Sequence, residues 1–181
     1  FRNGVNSVMA EKKESFKIEL TVDEFLSNYF DPELTDSRCR ACSGYAQTWS
    51  CPGFDFSLRD YWKQFSTYTI YVERLYTGDA ATAEEAEEKL HREKPVFNKK
   101  MLELEKSCGG KALYAQECEE CSRCARLDGK PCRFPGIMRY SIESLGGNAA
   151  KLIEDKLGFE LLWSQNGSIP EYYPLIGGIL Q

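Results

Sequence analysis

The sequence predicts an α/β or α+β fold, with a mixed sheet of about five strands, flanking helices and two cysteine-rich, cluster-binding loops. Some segments alternate apolar and polar residues like strands, others repeat apolar residues with the period of a helix, and the two kinds alternate along the chain. The 181 residues are 42% hydrophobic, which suffices for one sizeable core. Residues 1–8 precede Met9 and are interpreted as a leader, so the predicted single domain is residues 9–181.

The first half of the chain is predicted to contain two strands and two helices. Ser15–Leu20 alternates like a half-buried strand, and a capping box at Thr21 opens a short helix. Residues 31–38 are predicted to be a loop that leads to the first cysteines. Ser57 suits the N-cap of a helix. The β-branched and aromatic residues of Thr67–Tyr76 predict a central strand.

The middle of the chain is predicted to contain a long charged helix. It begins at a capping box on Thr82 and continues to about residue 107, with Pro95 expected to kink or divide it. Lys111–Glu117 is predicted to be a strand that leads into the next cysteines. Asn148 is the predicted N-cap of a last helix.

Two strands are predicted near the C-terminus. They are Phe159–Ser164 and Tyr172–Leu180, on either side of an Asn-Gly hairpin signal at 166–167. Pro170 and Pro174 predict that the last strand lies toward a sheet edge, since proline cannot donate to the ladder.

Charge and hydropathy exclude several classes of protein. The net charge of −5 provides no basic field for nucleic acid or an anionic membrane. No apolar run approaches the ~20 residues of a membrane span, and no signal peptide opens the chain. We therefore expect a cytoplasmic protein whose eight cysteines are reduced rather than paired in disulfides. The single histidine, His91, leaves little room for histidine-based catalysis.

Four cysteines are crowded into residues 118–132. Cys118, Cys121 and Cys124 follow one another with two-residue spacers, and Cys132 follows Pro131. Bacterial ferredoxins hold clusters with three cysteines at this spacing and a distant fourth, whereas zinc sites usually combine two separate pairs. The pattern predicts an iron–sulfur cluster, with zinc as the alternative. It does not determine the number of iron atoms.

A second group of cysteines lies earlier in the chain. Cys39, Cys42 and Cys51 provide three thiolates, and Cys108 is the remaining cysteine that can complete the set. With Cys108 the site is closed and suits electron transfer or a structural role; without it, one iron is open and acts as a Lewis acid. One alternative is that Cys108 is an inert buried thiol. A separate alternative is that Cys132 serves the first group, as the distant cysteine does in two-cluster ferredoxins.

Arginines and aromatic residues surround both groups. The candidate charge-compensating residues are Arg38, Arg40, Arg123, Arg126 and Arg133. The candidate shielding residues are Tyr45 and Trp49. Guanidinium groups stabilise an anionic cluster and raise its reduction potential. The alternatives are solvated surface arginines, an acidic partner or substrate bound by Arg123 and Arg126, and aromatic rings that pack in the core.

The segments CRACSGYAQTWSCPG and CEECSRCARLDGKPCRFP, followed by SIESLG, resemble a prokaryotic family of predicted metal-binding proteins, domain of unknown function 2284. The resemblance spans residues 39–146 and implies a cytoplasmic metal protein of the iron–sulfur type, but no reaction. The chain departs from the family pattern at Gly53, where a second proline is more common, and in the order of Gly44-Tyr45.

Three functions are compatible with this sequence. The first is a redox protein that carries one or two [4Fe-4S] clusters, with two as the preferred interpretation, and passes electrons to a partner protein. The second is a non-redox enzyme that binds a small-molecule substrate at an open iron. The third is a structural module in which zinc or a cluster stabilises a protein-binding fold. Enzymatic activity and oligomeric state stay open.

Overall fold

A computed structural model of the chain describes residues 13–164 and 166–181. The predicted leader, residues 1–8, lies outside the described residues. The strands are β1 (Lys13–Thr21), β2 (Thr67–Tyr76), β3 (Lys111–Leu113) and β4 (Tyr172–Leu180). The helices are α1 (Val22–Asn28), α2 (Pro32–Arg40), α3 (Leu58–Trp62), α4 (Ala83–Cys108) and α5 (Ala149–Leu157). Within these residues, no helix combines the length and apolarity needed to cross a membrane.

The strands form one sheet in the order β1-β2-β4-β3, and all three strand pairings are antiparallel. The described part of the chain therefore has an α+β fold with four strands. The prediction of about five strands in a mixed sheet was wrong on both points. β2 occupies the predicted central position.

The segment Phe159–Ser164 does not form a strand. The ring of Phe159 packs 5.4 Å from the ring of Phe16 and 4.3 Å from the guanidinium of Arg74, so side-chain contacts hold this segment against the sheet. Asn166 and Gly167 both have positive φ and form the predicted turn, although this turn does not join two strands.

β4 lies inside the sheet, not at its edge. All nine of its residues are buried, because β2 flanks it and the side chains of both faces are covered. β3 pairs only with residues 178–180, so β4 has no second neighbouring strand at Pro174. A proline is tolerated at such a position because no second ladder is interrupted there.

Four predicted N-caps are confirmed by hydrogen bonds from backbone N–H groups. The caps are Thr21 (3.0 Å), Ser57 (3.2 Å), Thr82 (3.2 Å) and Asn148 (3.2 Å). α4 continues through Pro95 undivided and ends at Gly109, whose φ of 73° suits a left-handed C-cap.

Two segments beside the cysteines differ from the prediction. Residues 31–38 were predicted to be a loop, but α2 begins here, because the Asp31 carboxylate accepts from Leu34 N–H at 3.1 Å and Pro32 occupies the first turn. α2 therefore carries Cys39 in its last turn. The strand predicted over Lys111–Glu117 is confirmed only for its first three residues, which form β3 (Lys111–Leu113).

The sheet separates two apolar layers. On one face, α1, α3 and α5 pack against strand residues such as Ile70. Their buried side chains include Phe25, Trp62 and Leu152. On the other face, α4 packs through residues such as Phe97 against β3 and β4. The cysteine-rich connections are α2–α3 and β3–α5. The helices and strands at their ends are packed in these layers, so the layers fix where each connection begins and ends.

Gly178 provides a test of this packing. A Cβ there would lie 2.4 Å from Cε2 of Tyr68 and 2.5 Å from the carbonyl of Thr69. We expect Gly178→Ala to lower the free energy of unfolding by about 1–3 kcal/mol, measured by urea denaturation, because the β2–β4 contact is already full. Gly78→Ala is the matched control, since no atom lies within 4 Å of its added Cβ. Equal effects of the two substitutions would contradict the packing.

Candidate metal centre

The second cysteine group surrounds one cavity. The cysteines that line it are Cys118, Cys121, Cys124 and Cys132. The other lining residues are Thr48, Trp49, Glu120, Phe134 and Met138. All four cysteines are partly buried. The spacing in the sequence therefore brings four sulfur atoms to one largely apolar space.

This donor set fits a sulfur-ligated metal group. All eight cysteines are free thiols, so no disulfide competes for them. Four cysteine ligands are typical of iron–sulfur clusters and of structural zinc. Within residues 13–164 and 166–181, no three His, Cys, Asp or Glu side chains converge closely enough to hold a single ion. The four cysteines share the lining of one cavity.

The start of this segment is fixed by α4 and by the first cysteine segment. Lys94 is buried on α4, and its ammonium binds the carboxylates of Glu117 (3.1 Å) and Glu119 (2.7 Å). Burial is the largest single influence and raises the pKa of Glu117, but the Lys94 charge and the hydrogen bonds to this carboxylate together lower the pKa. The N–H of Cys118 donates to the Ser50 hydroxyl at 2.9 Å. Two anchors therefore set the position of the first ligand.

The loop after Cys132 is held by a buried ion pair. Arg139 donates to both carboxylate oxygens of Glu105, at 2.7 and 2.5 Å, and also to the carbonyl of Gly136. The hydroxyl of Tyr114 donates to the carbonyl of Ile137 at 2.6 Å. These contacts fix the loop that supplies the Phe134 and Met138 wall of the cavity.

The first group, Cys39, Cys42 and Cys51, lies on the last turn of α2 and the loop that follows. Cys42 N–H donates to the carbonyl of Cys39 at 3.0 Å, which closes a tight turn between these two. Gly44 N–H donates to Cys42 Sγ at 3.3 Å, and the Thr48 hydroxyl donates to Cys51 Sγ at 3.2 Å. Hydrogen bonds to sulfur stabilise thiolate ligands and tune the metal that they hold.

Arg126 joins the two cysteine segments. From the turn after Cys124, its Nη1 donates to the carbonyls of Thr48 and Cys51, both at 2.7 Å, and Nη2 donates to the carbonyl of Gly53 at 3.0 Å. Gly53 has a φ of 89°, and a Cβ there would lie 2.9 Å from Nη2. Proline, with φ fixed near about −65°, cannot adopt this conformation, which explains glycine at this departure from the family pattern.

Trp49 forms a further link between the segments. Its indole N–H donates to the carbonyl of Lys130 at 3.0 Å, and its ring lies 5.3 Å below the guanidinium of Arg126. Trp49 also lines the four-cysteine cavity. The predicted shielding residue is therefore placed against the second cysteine group, although it lies between two cysteines of the first.

The other candidate residues lie nearer the surface. Arg38 and Arg40 are exposed on α2, and Arg40 binds Asp36 and lies 5.3 Å from the half-buried ring of Tyr45. The two remaining arginines are also exposed: Arg123 pairs with Asp128 at 2.8 Å, and Arg133 donates to the carbonyl of Arg123.

Cys108 lies at the C-terminal end of α4. It is exposed, and its carbonyl accepts a hydrogen bond from the Gln181 side chain at 3.0 Å. The expectation of a buried thiol there was wrong. Its ligand role stays a prediction.

Burial controls the protonation of the candidate ligands. It raises the pKa of Cys39 to about 11, with smaller contributions from Glu143 and neighbouring thiols. It also raises the pKa of Cys118 to about 11. These thiols are protonated at neutral pH, so a metal must displace their protons on binding.

Several residues of the site escaped the sequence analysis. They are Thr48, Ser50, Lys94, Phe134 and Met138. The hydroxyls on either side of Trp49, just before Cys51, were a usable signal, because serine and threonine beside a cysteine can donate to sulfur. Lys94 and Met138 gave no such signal, since their contacts depend on the tertiary fold.

Fold and site together define a cysteine-rich α+β protein with two thiol groups suited to binding metal. The chain belongs to the family described as predicted metal-binding protein (DUF2284), whose model matches residues 29–180. This match confirms the resemblance seen in the cysteine motifs. No curated protein and no solved structure matches the chain.

Arg126→Lys tests the link between the segments. Lysine keeps the charge, but one ammonium cannot reproduce the planar fork that reaches three carbonyls. We expect the free energy of unfolding to fall by about 1–3 kcal/mol in urea denaturation under reducing conditions. Arg123→Lys is the control, because its ion pair is exposed and a change within about 0.5 kcal/mol is expected. Indistinguishable variants would show that Arg126 does not join the segments.

Alkylation of the reduced, metal-free protein tests the raised pKa values. At pH 8, Cys39 and Cys118 should react with iodoacetamide on the order of a hundredfold more slowly than free cysteine, because the thiolate is the nucleophile. Since their pKa is about 11, the rates should keep rising with pH up to that value. Peptide mass spectrometry gives the rates, with exposed Cys108 as reference. Equal rates at all three positions would refute the shifts.

Proposed function

We propose that this chain binds iron–sulfur clusters, two of the [4Fe-4S] type, and transfers electrons. The observation that carries the proposal is the single cavity lined by Cys118, Cys121, Cys124 and Cys132. These cysteines would hold one cluster, and Cys39, Cys42 and Cys51 would hold the other. When bound, a cluster of this kind supplies reversible one-electron transfer.

The cysteine spacing supports iron over zinc. Three cysteines separated by two-residue spacers are a ferredoxin pattern, whereas four-cysteine zinc sites usually draw two pairs from separate turns. The four cysteines line one cavity, and a polynuclear group held there would bind one cysteine at each iron atom. The Thr48 and Gly44 donors on the sulfur atoms of the first group also suit a negatively charged cluster.

Arg126 has a defined part in this function. Its guanidinium is fixed between the two segments by backbone carbonyls, which leaves its positive charge uncompensated by a carboxylate in these contacts. A fixed cation near an anionic cluster favours the reduced form and raises the reduction potential. The expected partner is a redox protein in the cytoplasm, with neither nucleic acid nor a membrane involved.

The position of Cys108 favours a second candidate function. Cys108 is exposed at the end of α4, beside the C-terminal residue, while the first group contributes three cysteines from residues 39–51. A three-cysteine cluster leaves one iron open to a small molecule. The protein would then be a non-redox enzyme that uses this iron as a Lewis acid.

Metal analysis of protein purified without oxygen tests the class of metal group. About eight iron and eight sulfide per chain, with a visible spectrum that bleaches on reduction and an EPR signal of the reduced protein, are expected for two [4Fe-4S] clusters. Stoichiometric zinc in a colourless protein would refute the proposal and leave the structural module. A cluster that is lost whenever it is reduced would also exclude electron transfer.

Two serine variants test the assignment of ligands. Cys121→Ser should remove about half of the iron, because a four-cysteine cluster loses a ligand. Cys108→Ser is the matched variant: retention of all iron supports the open-site enzyme, and loss of half supports a closed second cluster. Iron content and EPR are measured for both. Full iron in Cys121→Ser would contradict the assignment of the second group.

A further inference from the structure

A second, larger cavity opens beside the four-cysteine cavity. Its volume is about 660 Å³, within the range of small-molecule sites. Trp49, Cys132 and Met138 line both cavities, so one candidate metal ligand separates them. The remaining wall comes from residues 53–56, Arg126, Pro131 and Tyr140.

The wall of this cavity is rich in aromatic rings. Phe54 and Phe56 stack with their centroids 4.9 Å apart and an angle of 18° between the ring planes. Tyr140 meets Phe54 edge to face at 5.1 Å. Trp49 completes the aromatic set. Aromatic rings attract further rings by stacking and edge contacts, so this wall favours a planar conjugated ligand.

The polar groups of the cavity define the ligand further. Three of the five N–H donors of Arg126 bind carbonyls, and the guanidinium also lines the cavity. A guanidinium has donors but no acceptors, so it selects ligand oxygens with free lone pairs. Asp55, an exposed carboxylate, stands on the same wall and disfavours a strongly anionic ligand.

We propose that this cavity binds a planar conjugated ring that carries carbonyl oxygens, of the isoalloxazine or quinone class. The ring packs against Phe56 and Tyr140, and a carbonyl oxygen accepts from Arg126. This inference rests on the proposed function, because Cys132 is what makes the cavity part of the metal centre. It adds a small-molecule ligand beside the protein partner expected for that centre.

Binding of two probes to the anaerobically purified protein tests the proposal. Riboflavin binding is followed by quenching of its fluorescence, and duroquinone binding by calorimetry; duroquinone is fully substituted and does not alkylate thiols. At least one probe should bind, and the probe that binds identifies the ring class. Phe56→Ala should weaken that binding about tenfold, because a ring contact is lost. Phe56→Leu, which keeps most of the side-chain volume, should weaken it similarly.

Trp163→Ala is the control for non-specific stacking, because Trp163 is exposed and does not line the cavity. The Trp163→Ala protein should bind the probe as tightly as the parent protein does. The inference is overturned if neither probe binds, or if both Phe56 variants bind the probe as tightly as the parent protein does. It is also overturned if decanoate, which has no ring, displaces the probe as well as the unlabelled probe compound does. Iron is measured in the same samples. Iron without probe binding refutes only the inference, and probe binding without iron refutes only the metal centre.

Discussion

The contacts of Arg126 set the geometry on which the rest of the metal centre depends. One guanidinium binds three carbonyls of the first cysteine segment from a turn in the second, at 2.7–3.0 Å. The Ser50–Cys118 and Trp49–Lys130 hydrogen bonds add to this link. Because the acceptors are neutral carbonyls, no carboxylate offsets the positive charge of Arg126 in these hydrogen bonds. The two cysteine segments are therefore held together through backbone contacts, and the position of one depends on the other.

The framework around this unit is rigid where the ligands begin. α4 contributes buried Lys94, which pairs with Glu117 and Glu119 beside Cys118, and Glu105, which pairs with buried Arg139 after Cys132. These contacts hold a loop that has little regular structure of its own. A buried charge that loses its partner is costly, so each pair favours one loop conformation. Such preorganisation suits the electron transfer proposed above, in which the ligands must not rearrange.

Local rules predicted much of this architecture, because caps and strand patterns depend on nearby residues. Thr21 and Thr82 opened helices as expected, and the bounds of Thr67–Tyr76 matched β2. The same capping rules apply to α2, where Asp31 precedes Pro32. The segment was nevertheless predicted to be a loop, because its polar residues show no helical pattern of apolar positions. The position of β4 and the failure of Phe159–Ser164 to pair were decided by tertiary contacts. Likewise, the cysteine spacing predicted the four-thiol group, whereas the carbonyl-binding role of Arg126 had no signal in sequence.

The Ser50–Cys118 bond joins positions 68 residues apart, and this separation affects how the centre is made. A ribosome adds about 5–20 residues per second, so Ser50 emerges roughly 3–14 s before its partner Cys118. During that interval the first cysteine segment lacks the contacts that Cys118, Arg126 and Lys130 make with it. A metal group that needs both segments can therefore be bound only after the second segment has left the ribosome.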